Sequence, residues 1–266
     1  IARMNLSIHG LDGEIEREDS LASPAFTNDD TNELERFDYV LANFPFSADW
    51  AKSDLQDDPW GRFDWHEKLP RADRGDYAFI MHMANQLKRP ERDEAGGKAA
   101  IVIPHGVLFR KHESRYRKPM LENDMVEAIV GLPENLFQNN SIPSAVLVLN
   151  TDKHAEREDE VQFIHAADDD FYEELSNQNE LTEGGLDHIV ENFRGWTTEE
   201  RVSRTVSIEE IRENDYNLNI ALYVDTTEPE EDIDVEEELA KLRELQAERD
   251  EIEATMNEHM EALNYE

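Results

Sequence analysis

Residues 37–46, Phe-Asp-Tyr-Val-Leu-Ala-Asn-Phe-Pro-Phe, constrain this chain more than any other stretch. Val40, Leu41 and Ala42 form the apolar run of a buried, central parallel strand, and Asn43-Phe44-Pro45-Phe46 breaks it. Pro45 has no N–H to continue a ladder and biases Phe44 away from helix, which forces a turn. Asn43 and the carbonyls around it are then expected to project from the carboxyl end of the strand, where open α/β sheets place their ligands.

Three more short apolar runs follow the same plan. Residues 99–103 (Ala-Ala-Ile-Val-Ile) are closed by Pro104, His105 and Gly106; residues 126–132 are ended by Pro133; residues 145–149 are apolar throughout. Between them, Asp76 caps an expected helix with Tyr77, Ile80, Met81, Ala84 and Leu87 on one face, and a second helix is expected to end near Asn123. Strands alternating with helices predict an α/β domain with a mainly parallel sheet. Residues 161–166 add an expected edge strand and residues 14–21 a short one, while residues 1–9 have helical spacing with Gly10 as the stop.

Of the 266 residues, 63 are acidic and 26 basic, a formal charge of -37. A hydrophobic content of 38% argues against disorder for most of the chain. Adaptation to a salty cytoplasm fits the charge better, since at molar salt the Debye length falls to about 3 Å and crowded carboxylates barely repel. The chain has no cysteine, hence no disulfide or thiolate metal site, and no apolar run long enough to span a membrane. Arg110, Lys111, Arg115, Arg117 and Lys118 make the one dense basic cluster, a candidate contact for DNA phosphates. Residues 47–75 form a long polar loop carrying Trp50, Trp60, Phe63 and Trp65. These rings either stack on bases or pin the loop to the core, and the sequence leaves both open. His105 is read as a loop histidine. Near the C-terminus, Val235, Leu239, Leu242, Leu245, Ile252, Met256, Met260 and Leu263 draw one apolar stripe along a helix that wants a partner.

One chemical task suits an Asn side-chain oxygen beside a free peptide carbonyl and an aromatic face. The exocyclic amine of adenine is a poor nucleophile because its lone pair is delocalised into the ring. Two acceptors that take both amine hydrogens favour a pyramidal nitrogen whose lone pair attacks a methyl sulfonium in line, while the ring stacks on the extruded base. Neither a metal nor a covalent intermediate is required. A plain strand end with a proline turn is the competing reading.

The turn resembles the Asn/Asp-Pro-Pro-Phe/Tyr motif of amino-group methyltransferases, with Phe44 where that family usually has Pro. The whole run of segments resembles the modification subunit of type I restriction-modification systems, an adenine-N6 DNA methyltransferase. Arg3-Met4-Asn5-Leu6 with His9-Gly10, Glu18-Asp19-Ser20-Leu21, Pro104 to Arg110, Leu132 to Phe137 and Asn214 to Asn219 carry the likeness. It implies a Rossmann-like S-adenosylmethionine-dependent methyltransferase sheet, incomplete with its first strands missing, and a C-terminal helical extension. Residues 1–167 would be the C-terminal portion of the catalytic domain, 168–230 a mixed extension, and 231–266 a helix contacting a partner subunit.

By the same likeness S-adenosylmethionine is the cofactor, with Asp19 at its adenine. The target amine meets Asn43 and the Pro45 carbonyl, and Phe46 stacks on the base. DNA, a specificity subunit and a restriction subunit are the implied partners, and the cytoplasm the location. The Gly-rich turn that cradles the cofactor in this family is absent from these residues and is expected upstream of Ile1, which leaves the fragment alone inactive. A methyltransferase acting on protein glutamine or RNA, and a non-catalytic assembly fragment, are the alternatives.

Overall fold

The computed structural model describes residues 2–28, 30–50, 58–65, 68–137 and 142–226, together with positions 242, 245, 246, 249, 252, 253 and 256. Ile1–Thr226 form one compact unit and Thr227–Glu266 a second. The boundary expected at residue 167 therefore falls inside the first unit.

That unit begins with helix α1 (Ala2–Ile8), which ends at Gly10 in the left-handed region at φ +65°. Gly10 donates to Ser7 and Leu11 to Leu6, a glycine stop of the kind its sequence predicts. Then come β1 (Tyr39–Asn43), α2 (Asp76–Asn85), α3 (Pro90–Asp93), β2 (Lys98–Pro104), α4 (Gly106–Phe109), α5 (Ser114–Glu122), β3 (Val126–Gly131) and β4 (Ser144–Asn150). After them lie β5 (Glu160–His165), the small hairpin β6 (Tyr172–Glu174) and β7 (Asn179–Leu181), α6 (Glu183–Gly195), β8 (Ser203–Ser207) and α7 (Ile208–Glu213).

The main sheet has the order β1-β2-β4-β3-β5-β8. Strands β1, β2, β3 and β5 run one way; β4 and β8 run against them. The chain leaving β3 turns back and slots β4 between β2 and β3, with Leu147 opposite both Ile101 and Ile129. Alternation then sorts the side chains into layers. Ile101, Ile103, Ile129, Leu147, Leu149 and Phe163 pack with Tyr77, Ile80, Met81 and Ala84 of α2, with Leu87 just past its end, and with Met120 and Leu121 of α5. Val130 and Ile164, one residue on, join Ile189 and Phe193 of α6 in a second cluster. At about 25 cal/mol per Å² of apolar surface removed from water, this two-sided burial is the main force holding the sheet.

Four expectations are corrected. Strand β1 is neither central nor buried but an edge among the described residues, with Tyr39 and Leu41 75% and 82% exposed. An apolar run reports a face that needs covering, not what covers it. Conversely, β5 is interior, because β8 pairs along its outer side. Residues 11–20 contain no strand, for no neighbour completes a ladder with them. Asp76 is not the cap of α2: Gly75 holds that position without any side-chain cap, and the Asp76 carboxylate turns away to other partners. The region after residue 167 also proves integral to the core. Leu218 donates its N–H to the Leu108 carbonyl at 2.9 Å, and the Tyr223 ring lies 4.4 Å from that of Phe163.

In the second unit the described residues are helical, and Leu242, Leu245, Ile252 and Met256 are exposed. The remaining positions of the expected stripe, including Val235, Leu239, Met260 and Leu263, lie outside the described residues.

Candidate functional site

Strand β1 ends at Asn43, paired opposite Val102 of β2. Its side chain is exposed and makes no hydrogen bond among the described residues, and the Pro45 carbonyl likewise accepts none. The substitution of Phe44 for proline costs the turn no anchorage. Phe44 is buried and stacks on Phe79 of α2 at 5.1 Å and 13°, and Phe46 meets it edge-on at 5.9 Å. Aromatic pairs in these geometries contribute about 0.5–1.5 kcal/mol beyond the area they bury. The turn is thus fastened through its aromatic residues, while its amide and carbonyl have no partner among the described residues.

Asn43 borders a cleft of about 800 Å³ that runs along the outer side of β1. Phe26, Phe37, Val40, Ala42, Phe44 and Phe79 give it apolar walls, and Glu14, Glu16, Glu18 and Glu35 an acidic rim. His82 of α2 and Gln86, the C-cap of that helix, also line it. Pro45 and Phe46 lie beyond this lining.

Asp19 does not line the cleft, although its neighbours Glu18 and Ser20 do. Its exposed carboxylate accepts the N–H groups of Leu21 and Ala22, both at 3.0 Å, and closes a turn. A fully buried arginine fixes that turn. Arg62 donates to the carbonyls of Ser20 (3.2 Å) and Leu21 (2.8 Å), pairs with Asp58 at 2.8 Å, and reaches Nδ1 of His82 at 3.2 Å. A guanidinium only donates, so Nδ1 of His82 is the acceptor and Nε2 carries the proton. Burial, reinforced by the Arg62 charge, pulls the His82 pKa down to about 4. Among the described residues of the tryptophan loop, Trp50 and Phe63 belong to the core: their rings pack at 5.7 Å, and Trp50 donates its indole N–H to the Arg71 carbonyl. Sequence reasoning passed over Arg62 and His82. Only the fold reveals that an arginine in a polar loop reaches carbonyls 41 and 42 residues upstream.

The basic cluster divides. Arg117 is corrected from a phosphate contact to a core residue: it is 1% exposed and spends its guanidinium on the carbonyls of Tyr216, Val107 and Arg110. Arg110 is held by Asp76 at 2.9 Å and also meets Glu113 at 3.4 Å. Burial pushes Glu113 up to about 6 despite that arginine. Arg115 bonds the His112 carbonyl, and Lys118 lies 3.7 Å from Glu122. Lys111 and Lys118 are exposed and Arg115 is half-buried, which leaves these three able to meet a phosphate. His105, just past β2, is half-buried with Nε2 lacking a partner, and burial keeps its pKa below the usual value.

A sheet with four strands running one way, β4 slotted antiparallel between β2 and β3 and β8 antiparallel at its end, and an Asn-Phe-Pro-Phe turn at the carboxyl edge, defines a Rossmann-like methyltransferase catalytic fold. Residues 1–232 match the family model N-6 DNA Methylase, and the chain belongs to that family. It is 35% identical over 262 residues to the type I restriction enzyme MjaVII methylase subunit of Methanocaldococcus jannaschii, a match that covers 95% of this chain and 43% of that protein. It is 28% identical to the HindI methylase subunit of Haemophilus influenzae, covering 100% and 59%. The type I restriction-modification methyltransferase subunit from Streptococcus thermophilus superposes with a TM-score of 0.73 at 38% identity, over 84% of this chain and 46% of that one. The chain thus spans about half the length of the relatives it matches.

The His82 environment predicts a pH dependence. The imidazole is neutral in the fold but protonates near 6.5 when exposed, so its contribution is present above that pH and is lost as pH falls toward about 4. The wild type should lose on the order of 3 kcal/mol more than His82→Gln between pH 7 and pH 4 in denaturant titrations. Parallel curves for the two proteins would contradict the assignment.

Proposed function

We propose that the chain is the C-terminal part of a type I modification subunit that transfers a methyl group from S-adenosylmethionine to adenine N6 in DNA. The observation that carries this reading is the state of Asn43: an exposed carboxamide at the end of a parallel strand, without a hydrogen-bond partner among the described residues, as is the Pro45 carbonyl two residues on. Together these acceptors take both hydrogens of the target amine, the lone pair turns toward the methyl donor, and Phe46 stacks on the extruded base.

The cofactor supplies an electrophilic methyl group on a sulfonium. In this reading the cleft beside β1 receives it, with Phe44 and Phe79 among the apolar walls; Asp19, expected at the cofactor adenine, stands outside that lining, between Glu18 and Ser20, which belong to it. The carboxylate rim suits a ligand of positive charge. The exposed outer edge of β1 suits pairing with further strands, and the residues that cradle the rest of the cofactor would come from the additional length present in the relatives. The isolated chain is accordingly expected to be inactive.

Lys111, Arg115 and Lys118 are the candidate phosphate contacts in the basic cluster, and sequence choice falls to a separate specificity subunit. The exposed apolar residues Leu242, Leu245, Ile252 and Met256 give the C-terminal helix the face through which it would hold that subunit. A restriction subunit would complete the assembly, which would work in the cytoplasm.

In the full-length protein, Asn43→Ala should lower adenine methylation by at least about 100-fold, since it removes one of two transition-state acceptors. Co-purification with the specificity subunit should be unchanged. Retention of most methylation on a DNA substrate would defeat the reading. Deleting residues 235–263 should release the specificity subunit in a pull-down, and undiminished co-purification would rule out that role for the helix.

A further inference from the structure

Asp76 is a buried carboxylate that its own helix does not use. It lies in the first turn of α2 with no exposed surface, and no side-chain bond caps the helix. Its Oδ1 accepts the Ser47 N–H at 2.6 Å and its Oδ2 accepts from Arg110 at 2.9 Å. Burying a carboxylate without partners is costly, whereas here a charge-assisted backbone bond and a guanidinium support it.

Ser47 is the residue immediately after Phe46, and it sits at φ +52°, a conformation that a non-glycine side chain resists. An outside contact is needed to hold it there. The next residue is held by the same helix end: Gly75 donates its N–H to the Ala48 carbonyl at 2.9 Å. The near end of the turn is tied to α2 as well, through Phe44 on Phe79, three residues beyond Asp76. One helix therefore grips the tetrapeptide on both flanks, by ring stacking before Pro45 and by a carboxylate after Phe46.

We propose that Asp76 is the positioning residue of the amine-gripping turn. By fixing Ser47 it sets where the Pro45 carbonyl and the Phe46 ring stand relative to Asn43. The inference rests on the reading of Asn43 and Pro45 given under Proposed function. Arg110 serves the same device: its contact with Asp76 at 2.9 Å holds the carboxylate in place, which adds a structural duty to a residue from the basic cluster.

A displacement of about 1 Å at reacting groups costs on the order of 100-fold in rate. In the complete methylase with its partner subunits, Asp76→Ala should lower kcat by about 100-fold while KM for S-adenosylmethionine and for DNA changes by less than about threefold. Asp76→Asn keeps an amide oxygen for the Ser47 N–H and should restore at least about tenfold of that loss. Gly75→Ala serves as a second probe, including when Asp76→Ala fails to fold. The added methyl would stand 3.0 Å from the Ala48 carbonyl and displace the same turn without removing a charge, so kcat should fall at constant KM.

Wild-type kcat in Asp76→Ala, or in Gly75→Ala where Asp76→Ala does not fold, would overturn the proposal, as would Asp76→Asn no better than Asp76→Ala. Asn43→Ala, assayed alongside, separates the two levels. If it is active, the reading of the turn itself fails; if it is dead while Asp76→Ala is fully active, only the role of Asp76 fails.

Discussion

The structure depends on how a parallel strand is made to stop. Past Asn43 the ladder between β1 and β2 cannot continue, because Pro45 offers no N–H, and the chain must leave the sheet with its last polar groups unpaired. In most buried turns such groups would be matched from within the protein. Here the matching goes to the flanks: Phe44 is stacked and Ser47 is bonded, while the exposed Asn43 amide and Pro45 carbonyl have no hydrogen-bond partner among the described residues. In the proposed reading, that asymmetry, rigid surroundings around two acceptors with no partner among the described residues, is what would let a short turn act as a preorganised grip on an amine.

Two buried charges organise the ground beneath it. Arg62 binds the Asp19 turn to His82 on one side of α2, and Asp76 binds Ser47 and Arg110 at its start. Both recruit their partners from segments far apart in sequence, and both spend much of their bonding on backbone groups rather than on other side chains. In a chain of charge -37 this matters, since surface carboxylates are plentiful and exposed ion pairs contribute little. The desolvated pairs are the ones that can fix geometry, because water does not compete for them.

Much of this was legible in the sequence. Apolar runs of three to seven residues, three of them followed by Pro within three residues, located β1 to β4 within a residue or two, and Gly10 marked the end of α1. Asn43 stood out because a proline follows it at the right distance. What the sequence hid was partnership. Val40-Leu41-Ala42 could not say that β1 lies at an edge, and Arg117 looked like its basic neighbours until three carbonyls were found around it. Helix α6 was missed because Gly184 and Gly185 depress helix propensity at its start. Gly185 is required there for another reason: a Cβ would stand 2.3 Å from the Phe171 carbonyl oxygen. The signal that would have found the helix is the Thr182 cap, which accepts the Gly185 N–H at 2.9 Å, followed by Leu186, Ile189, Val190 and Phe193 at helical spacing. Asp76 was misread since a helix-capping aspartate and one that turns to a neighbouring loop look alike in sequence.

The central claim concerns where one amino group sits. A structure of the complete methylase with duplex DNA and a non-reactive cofactor analogue measures it directly. The account predicts an extruded adenine whose N6 lies about 3 Å from both the Asn43 side-chain oxygen and the Pro45 carbonyl oxygen, with its ring on Phe46. An adenine held elsewhere, or one whose N6 approaches neither oxygen, would contradict it.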